Sequence, residues 1–467
     1  MGFSAVWISP VTLNLQQKTK DLESYHGYWQ QDLYAVNSQF GTMKDLKDLS
    51  DALHKRDMYL MLDVVVGNMA FAGAPEKVDY SVFAPFNQQA FFHPYCPIPD
   101  AGDVLGVQKC WLGDTEVSLP DLRTEDPTVA NMLYDWITSL VSNYSVDGIR
   151  IDSVANLSPD FLPGLNKAAG SYCLGEVHDG GVESACGFQR LLDGFLNFPI
   201  YYPLTRAFQN SSHTMSDLVD AIAAELDACK DVTLLGTFSE NHDLPRFASF
   251  TSDLSLAQNI LTFNILYEGI PVLYYGQEHN LDGSFNPVNR EALWLKQYDT
   301  SAPLYQLTST LNTLRTHAIT SNDTYLDYIG RVIHHDEHTL AVRKGFDDNQ
   351  IIMLLNNNGA ESSAYETNLS GTGFREGKTV IEVISCKTMT AGKGGDLAVK
   401  IERGAPQVFY PVASLDGTSI CKGEDQNGSG NRGSNSTKPS TSPELLKPLS
   451  TGLCMSVLLW IWIFLSQ

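Results

Sequence analysis

YLMLDVVVGNM, residues 59 to 69, decides the fold. A nearly unbroken apolar run of this length is what a parallel β-strand covered on both faces requires, and it ends abruptly in small polar residues. Three further segments have the same form: GIRIDSV (148 to 154), LGEVHDG (174 to 180) and FSENHDLPR (238 to 246). Between residue 2 and about 320, AVWISP, YLMLDVVV, DGIRIDS, YCLGEV, LLGTFSE and IPVLYYG alternate with amphipathic stretches such as DLKDLSDALHKR. Strand and helix repeated in this way predict a parallel α/β fold, read here as a (β/α)8 TIM barrel spanning residues 1–320. The alternative, an open doubly wound sheet, lacks its usual support, because no GxGxxG turn follows any strand.

Chemistry in such barrels sits at the C-terminal ends of the strands. That rule singles out Asp152, Glu176 and Asp243, one acid at each of three predicted strand ends. Arg150 and Asp152 are two apart on a strand and therefore share a face. Taken alone they read equally well as a buried structural ion pair or as an arginine keeping a nucleophilic carboxylate ionised. Glu176, flanked by apolar residues, suits a general acid, and His242 precedes Asp243. Three acids converging on one rim point to glycosidic-bond chemistry, since retaining enzymes need a nucleophile and an acid/base carboxyl about 5 Å apart.

Several other features bound the answer. With 467 residues, 43% of them hydrophobic, the chain can bury a large core and more than one domain. A net charge of -23 without a basic run disfavours nucleic acid and anionic lipid, and a neutral sugar fits better. Residues 67–121 form a long excursion rich in Pro, Phe and Tyr, read as an inserted subdomain. From 325 to 422, short alternating strands predict a separate antiparallel β-sandwich. Cys96 with Cys110, Cys186 with Cys229, and Cys386 with Cys421 would each close a loop within one region, leaving Cys173 as a buried thiol. No CxxC pair suggests zinc. Sequons at Asn143, Asn156, Asn210, Asn322, Asn368, Asn427 and Asn435 accord with a secretory route.

The C-terminus has its own logic. Residues 423–447 are a Gly/Ser/Asn/Pro-rich linker, and 448–467 end in LCMSVLLWIWIFLSQ, too short an apolar run for an ordinary spanning helix. Small residues, a polar spacer and an apolar tail together make a glycosylphosphatidylinositol (GPI) signal, with Ser434, Asn435, Ser440 and Ser442 as candidate attachment points and a simple tail anchor as the alternative. The opening GFSAVWISP reads as a strand with no signal peptide, which places the expected natural start upstream.

The order DVV, GIRID, GEV and ENHD, with YHGYWQQDLY (25 to 34), NREALW (289 to 294) and SLPD (118 to 121), resembles the α-amylase family of glycoside hydrolases, in particular the fungal secreted α-amylases, over roughly residues 1 to 422. The resemblance implies Asp152 as nucleophile, Glu176 as acid/base and Asp243 as the third acid gripping the sugar hydroxyls. It places Tyr28, Trp29, Asp63, Asn68, Arg150, Asn156, His178, His242 and Arg290 around the substrate, and the three cysteine pairs match the family's. It also implies a first barrel strand before residue 5, whose lack would leave two unpaired edges.

Departures from the family pattern are specific. Gly67 and Asn68 stand where the family has Asn-His, Ala155 and Asn156 where it has Lys-His, His178 replaces an aliphatic residue, and Asn286 replaces an acid. The family's calcium site keeps Asp121 and the Asn156 carbonyl, while Gln108 stands for a Glu, so calcium binding is expected to be weak or absent. The changes surround donor and acceptor while sparing the three acids. They resemble the fungal GPI-anchored 4-α-glucanotransferases, implying a monomeric enzyme acting on α-1,4-glucan at the plasma membrane or cell wall. The alternatives are an anchored hydrolytic α-amylase and a wall protein that binds glucan without turnover.

Overall fold

The computed structural model describes residues 1–98, 104–322 and 324–422, together with the backbone of 461–464. Its centre is a closed barrel. The strand order around it is Gly194–Phe195, Tyr172–Gly175, Gly148–Ile151, Tyr59–Val64, Ala5–Ile8, Ile461–Phe464, Ile270–Tyr274 and Gly236–Phe238, and a bridge from Leu196 to Gly236 completes the ring. From Leu60 to Val64 every residue is buried, because the helices outside and the packed interior cover both faces.

Helices separate the strands as the alternation predicts. Met43–His54 starts at a reciprocal capping box between Thr42 and Asp45, and Pro127–Tyr144 starts at an Asp126 cap with proline in its first turn. The helix Pro303–Ser321 ends the barrel region, close to the expected boundary at 320.

The open seam expected between the first and last strands is not found. Ile461–Phe464 fills it, antiparallel to both neighbours, pairing Ile8 with Ile461 and Tyr274 with Trp462. Backbone groups on two exposed edges need partners, and an apolar, β-branched and aromatic segment supplies them. The rest of the linker and tail, with the candidate attachment residues and Cys454, lies outside the described residues.

The excursion at 67–121 is more ordered than a loop. Phe71–Ala72, Val117–Leu119 and Leu112–Gly113 make a small antiparallel sheet, and a disulfide joins Cys96 to Cys110. The other two pairs, Cys186–Cys229 and Cys386–Cys421, form as read, and Cys173 is a buried free thiol.

Beyond the barrel, six antiparallel strands from Arg331–His335 to Gln407–Pro411 form one sheet, and Tyr365–Leu369 with Leu397–Ile401 forms a second. Ile352, Leu354, Leu369 and Val399 fill the space between them, as a sandwich requires. The other face of the large sheet, through Met353 and Leu355, shares a core with Ile260 and Phe263 of the barrel helix Leu254–Leu266. Lys344 pins the junction, with its Nζ 2.8 and 2.9 Å from the two carboxylate oxygens of Glu268.

Candidate active site

Register builds the site. Asp63 and Arg150 are direct partners on adjacent parallel strands, and Ile151 pairs with Gly175, so Asp152 and Glu176 emerge side by side at the next step. The Glu176 amide donates to the Ile151 carbonyl at 2.8 Å, which fixes that step. Arg150, with no exposed surface, then reaches three carboxylates: Nη1 is 2.8 Å from Asp63 Oδ1 and 2.7 Å from Asp152 Oδ1, and Nη2 is 2.8 Å from Glu176 Oε2. The structure therefore replaces the two-residue reading of Arg150 and Asp152 with a four-residue cluster.

Its electrostatics favour keeping a proton. Burial pushes Asp152 up to about 7, opposed by Arg150 and reinforced by Glu176 and Asp243, and burial likewise pushes Asp63 up to about 7. One guanidinium faces three buried carboxylates, and Asp63 and Asp152 hold their protons more tightly than exposed carboxyls do. Such a cluster can present one carboxylate as nucleophile while a second, protonated, serves as acid. The Ser153 amide donates to Glu176 Oε2 at 2.9 Å and orients it.

Asp243 is the most open of the three acids, its side chain 39% exposed against 16% for Asp152 and 9% for Glu176. Arg290 Nη2 donates to its Oδ1 at 3.0 Å, and His242 Nε2 lies 3.1 Å from its Oδ2. Burial, with Arg290 and Arg150 nearby, holds His242 well below the usual imidazole range, so it acts as a neutral hydrogen-bonding ring. The Tyr28 ring lies parallel to His242 at 5.3 Å, and its hydroxyl donates to Asp63 Oδ2 at 2.7 Å. Asp63, Arg150, Asp152, Glu176, Tyr28, His242, Asp243 and Arg290 thus form one linked constellation.

The remaining candidates stand further out. His178 is exposed two residues beyond Glu176, its ring 4.6 Å from Phe198 and nearly parallel to Tyr202 at 6.4 Å. The Asn156 amide donates to the Val107 carbonyl at 3.1 Å. Asn68 is buried, and its amide turns to the Met69 carbonyl at 3.4 Å without reaching the acids. Trp29 packs against Leu15, Ala70 and Val117, with its ring edge-on to His26 at 4.7 Å.

Sequence reasoning missed the brace beneath the Asp243 loop. Arg246, fully buried, lies 3.1 Å from Glu240 and 3.9 Å above the Tyr274 ring, and Asn289 donates to the His242 carbonyl at 2.8 Å. A Glu and an Arg six apart in one polar cluster was the available signal. Trp7 was missed as well; its indole nitrogen donates to Asp63 at 3.3 Å.

The positions of the calcium site that the resemblance implies carry fewer carboxylates here. Gly67 has no side chain and Gln108 offers only an amide, while Asp121 Oδ2 is taken by His93 Nδ1 at 2.7 Å. His93 Nε2 in turn meets Glu125 Oε1 at 2.9 Å. Among the described residues no group of three or more His, Cys, Asp or Glu is arranged to hold a metal ion.

Comparison with known proteins agrees with this geometry. The family model for the alpha-amylase catalytic domain matches residues 1–323, and that for alpha-amylase domain C matches 332–429. "Alpha-amylase 2" of Schwanniomyces occidentalis is 45% identical over 421 residues, covering 90% of this chain and 83% of that protein. "Alpha-amylase mde5" of Schizosaccharomyces pombe is 39% identical, covering 89% and 80%. The solved structure of an alpha-amylase from Malbranchea cinnamomea superposes with a TM-score of 0.88 at 45% identity, covering 90% of this chain and 88% of that one. With the two domains, the fold and the acid cluster in agreement, the chain belongs to the α-amylase family of retaining glycoside hydrolases.

Proposed function

We propose that this chain is a retaining 4-α-glucanotransferase acting on α-1,4-glucans at the fungal cell surface. Asp152 attacks the anomeric carbon while Glu176 protonates the departing oxygen, giving a covalent glycosyl-enzyme. Glu176, now a carboxylate, takes the proton from the hydroxyl of an incoming sugar as that oxygen displaces Asp152. Hydrolysis differs only in using water at the second step.

The observation that carries the transferase reading is the acceptor side. All three acids are in place, yet the residues beside Glu176 include an exposed His178 ring aligned with Tyr202. Flat rings cover the apolar face of a pyranose and exclude water, which favours a sugar as the second acceptor. Incubation with one maltooligosaccharide tests this. Products longer than the substrate are expected; only shorter products with rising reducing ends would reject transfer.

A hydrolytic α-amylase is the second reading, favoured by the names that the relatives carry. A wall protein without turnover is the third, and Asp152→Asn leaving every activity unchanged would support it. We also propose that the protein works without tightly bound calcium, supported by the His93–Asp121 contact. Anchoring through a GPI group is proposed from the composition of residues 423–467. Attachment at one of the candidate residues would release Ile461–Phe464 from the barrel, so anchoring and strand pairing are exclusive uses of one segment.

A further inference from the structure

We propose that Phe285 is a stacking platform for an outer glucose unit on the donor side of the cleft, an inference that rests on the α-glucan reading of the site. Phe285 is 63% exposed, in the loop between the strand Ile270–Tyr274 and the helix Pro303–Ser321. A large apolar side chain held this open contributes little to the core, and its neighbours tie it to the reaction centre. Asp243 binds Arg290 at 3.0 Å, the Arg290 guanidinium lies 6.0 Å from the centre of the Tyr25 ring, and the Tyr25 hydroxyl donates to Asn286 Oδ1 at 3.0 Å. Phe285 is the next residue, so an exposed aromatic side chain stands beside the row of sugar-compatible groups that begins at Asp243.

Strand order sets which half of the substrate this row meets. The loops bearing Tyr25 and Asn286 follow Ala5–Ile8 and Ile270–Tyr274, each three strands from Tyr172–Gly175, which carries Glu176, in opposite directions around the ring. They meet across the mouth from Glu176. The acid must stand on the side of the departing oxygen, so the opposite rim receives the chain that stays bound to Asp152. Along that chain, Tyr25, Asn286 and Arg290 offer polar contacts and Phe285 an apolar one, suited to the C–H face of a pyranose.

The test is the position of the bond cut in end-labelled maltoheptaose, with maltotriose in parallel. Losing a platform on the donor side weakens poses with many sugars on that side, so Phe285→Ala is expected to move the cut toward the non-reducing end. It is also expected to lower kcat/KM on maltoheptaose by about fivefold, more than on maltotriose, while Phe285→Trp keeps the wild-type pattern. An unchanged cleavage pattern, or a shift toward the reducing end, overturns the proposal, with circular dichroism confirming that the exposed substitution leaves the fold intact. Wild-type protein inactive on both sugars would instead reject the α-glucan reading, and the platform with it.

Discussion

Replacing Arg150 with Met keeps most of the side-chain volume and removes the one positive charge that Asp63, Asp152 and Glu176 share. With the arginine present, burial still pushes Asp152 up to about 7, so below that pH only a minor fraction of the free enzyme has it ionised. An adjacent guanidinium holds a carboxyl down by about 1–3 units, so its loss should cut that fraction by roughly 10- to 1000-fold. The ratio kcat/KM, which reports the free enzyme, should fall by the same factor and recover about tenfold per unit as the pH rises.

Stability should fall too, by about 3–5 kcal/mol at neutral pH, because a buried charge cluster loses its counter-ion. The direction with pH follows from the folded values. Asp63 and Asp152 titrate in the fold at about 7, above the ordinary 3.8, so each costs stability as pH rises from about 4 to 7. In Arg150→Met that window extends upward, and the gap from wild type should widen above pH 7. Initial rates on maltoheptaose between about pH 5 and 9, with thermal melts at each pH, measure both quantities. A loss of activity equal at every pH would refute this account of Arg150.

Glu225, buried beneath Asn197 and 3.3 Å from the Tyr267 hydroxyl, is pushed by burial from 4.5 up to about 8. It therefore costs stability as pH rises across that interval, and Glu225→Gln should melt like wild type near pH 5 but later above pH 8, by a few kcal/mol at about 1.4 per unit. Lys344→Met strands the buried Glu268 carboxylate and should cost about 3–5 kcal/mol in urea melts, with Lys344→Met/Glu268→Leu recovering most of it. If the calcium proposal holds, EDTA should leave the melting temperature unchanged, whereas His93→Ala should cost about 1–3 kcal/mol by leaving Asp121 unpaired. A calcium-dependent rise in melting temperature would reject it.

What could be read from the chain was local and periodic. Buried parallel strands announce themselves as apolar runs, and their polar ends located Asp152, Glu176 and Asp243. Register could not be read that way. That Asp63 sits beside Arg150, and that one guanidinium serves Glu176 as well, depends on which strands are neighbours. The same limit hid the His93–Asp121–Glu125 contact, whose members are joined across the excursion only once it folds back on itself. That Trp29 packs against Leu15, Ala70 and Val117 depends in the same way on segments far apart in the chain.

The reversed strand Ile461–Phe464 has a consequence for how force reaches the enzyme. Its neighbours run toward the catalytic rim, so a strand antiparallel to them enters at that rim and finishes at the floor, with Ile461 level with Ile8 and Phe464 level with Ala5. A pull on the polypeptide leading into it is therefore applied at the rim that holds the sugar. Release of Ile461–Phe464 would reopen the backbone edges of Ala5–Ile8 and Ile270–Tyr274, the two strands whose following loops carry Tyr25 and Arg290.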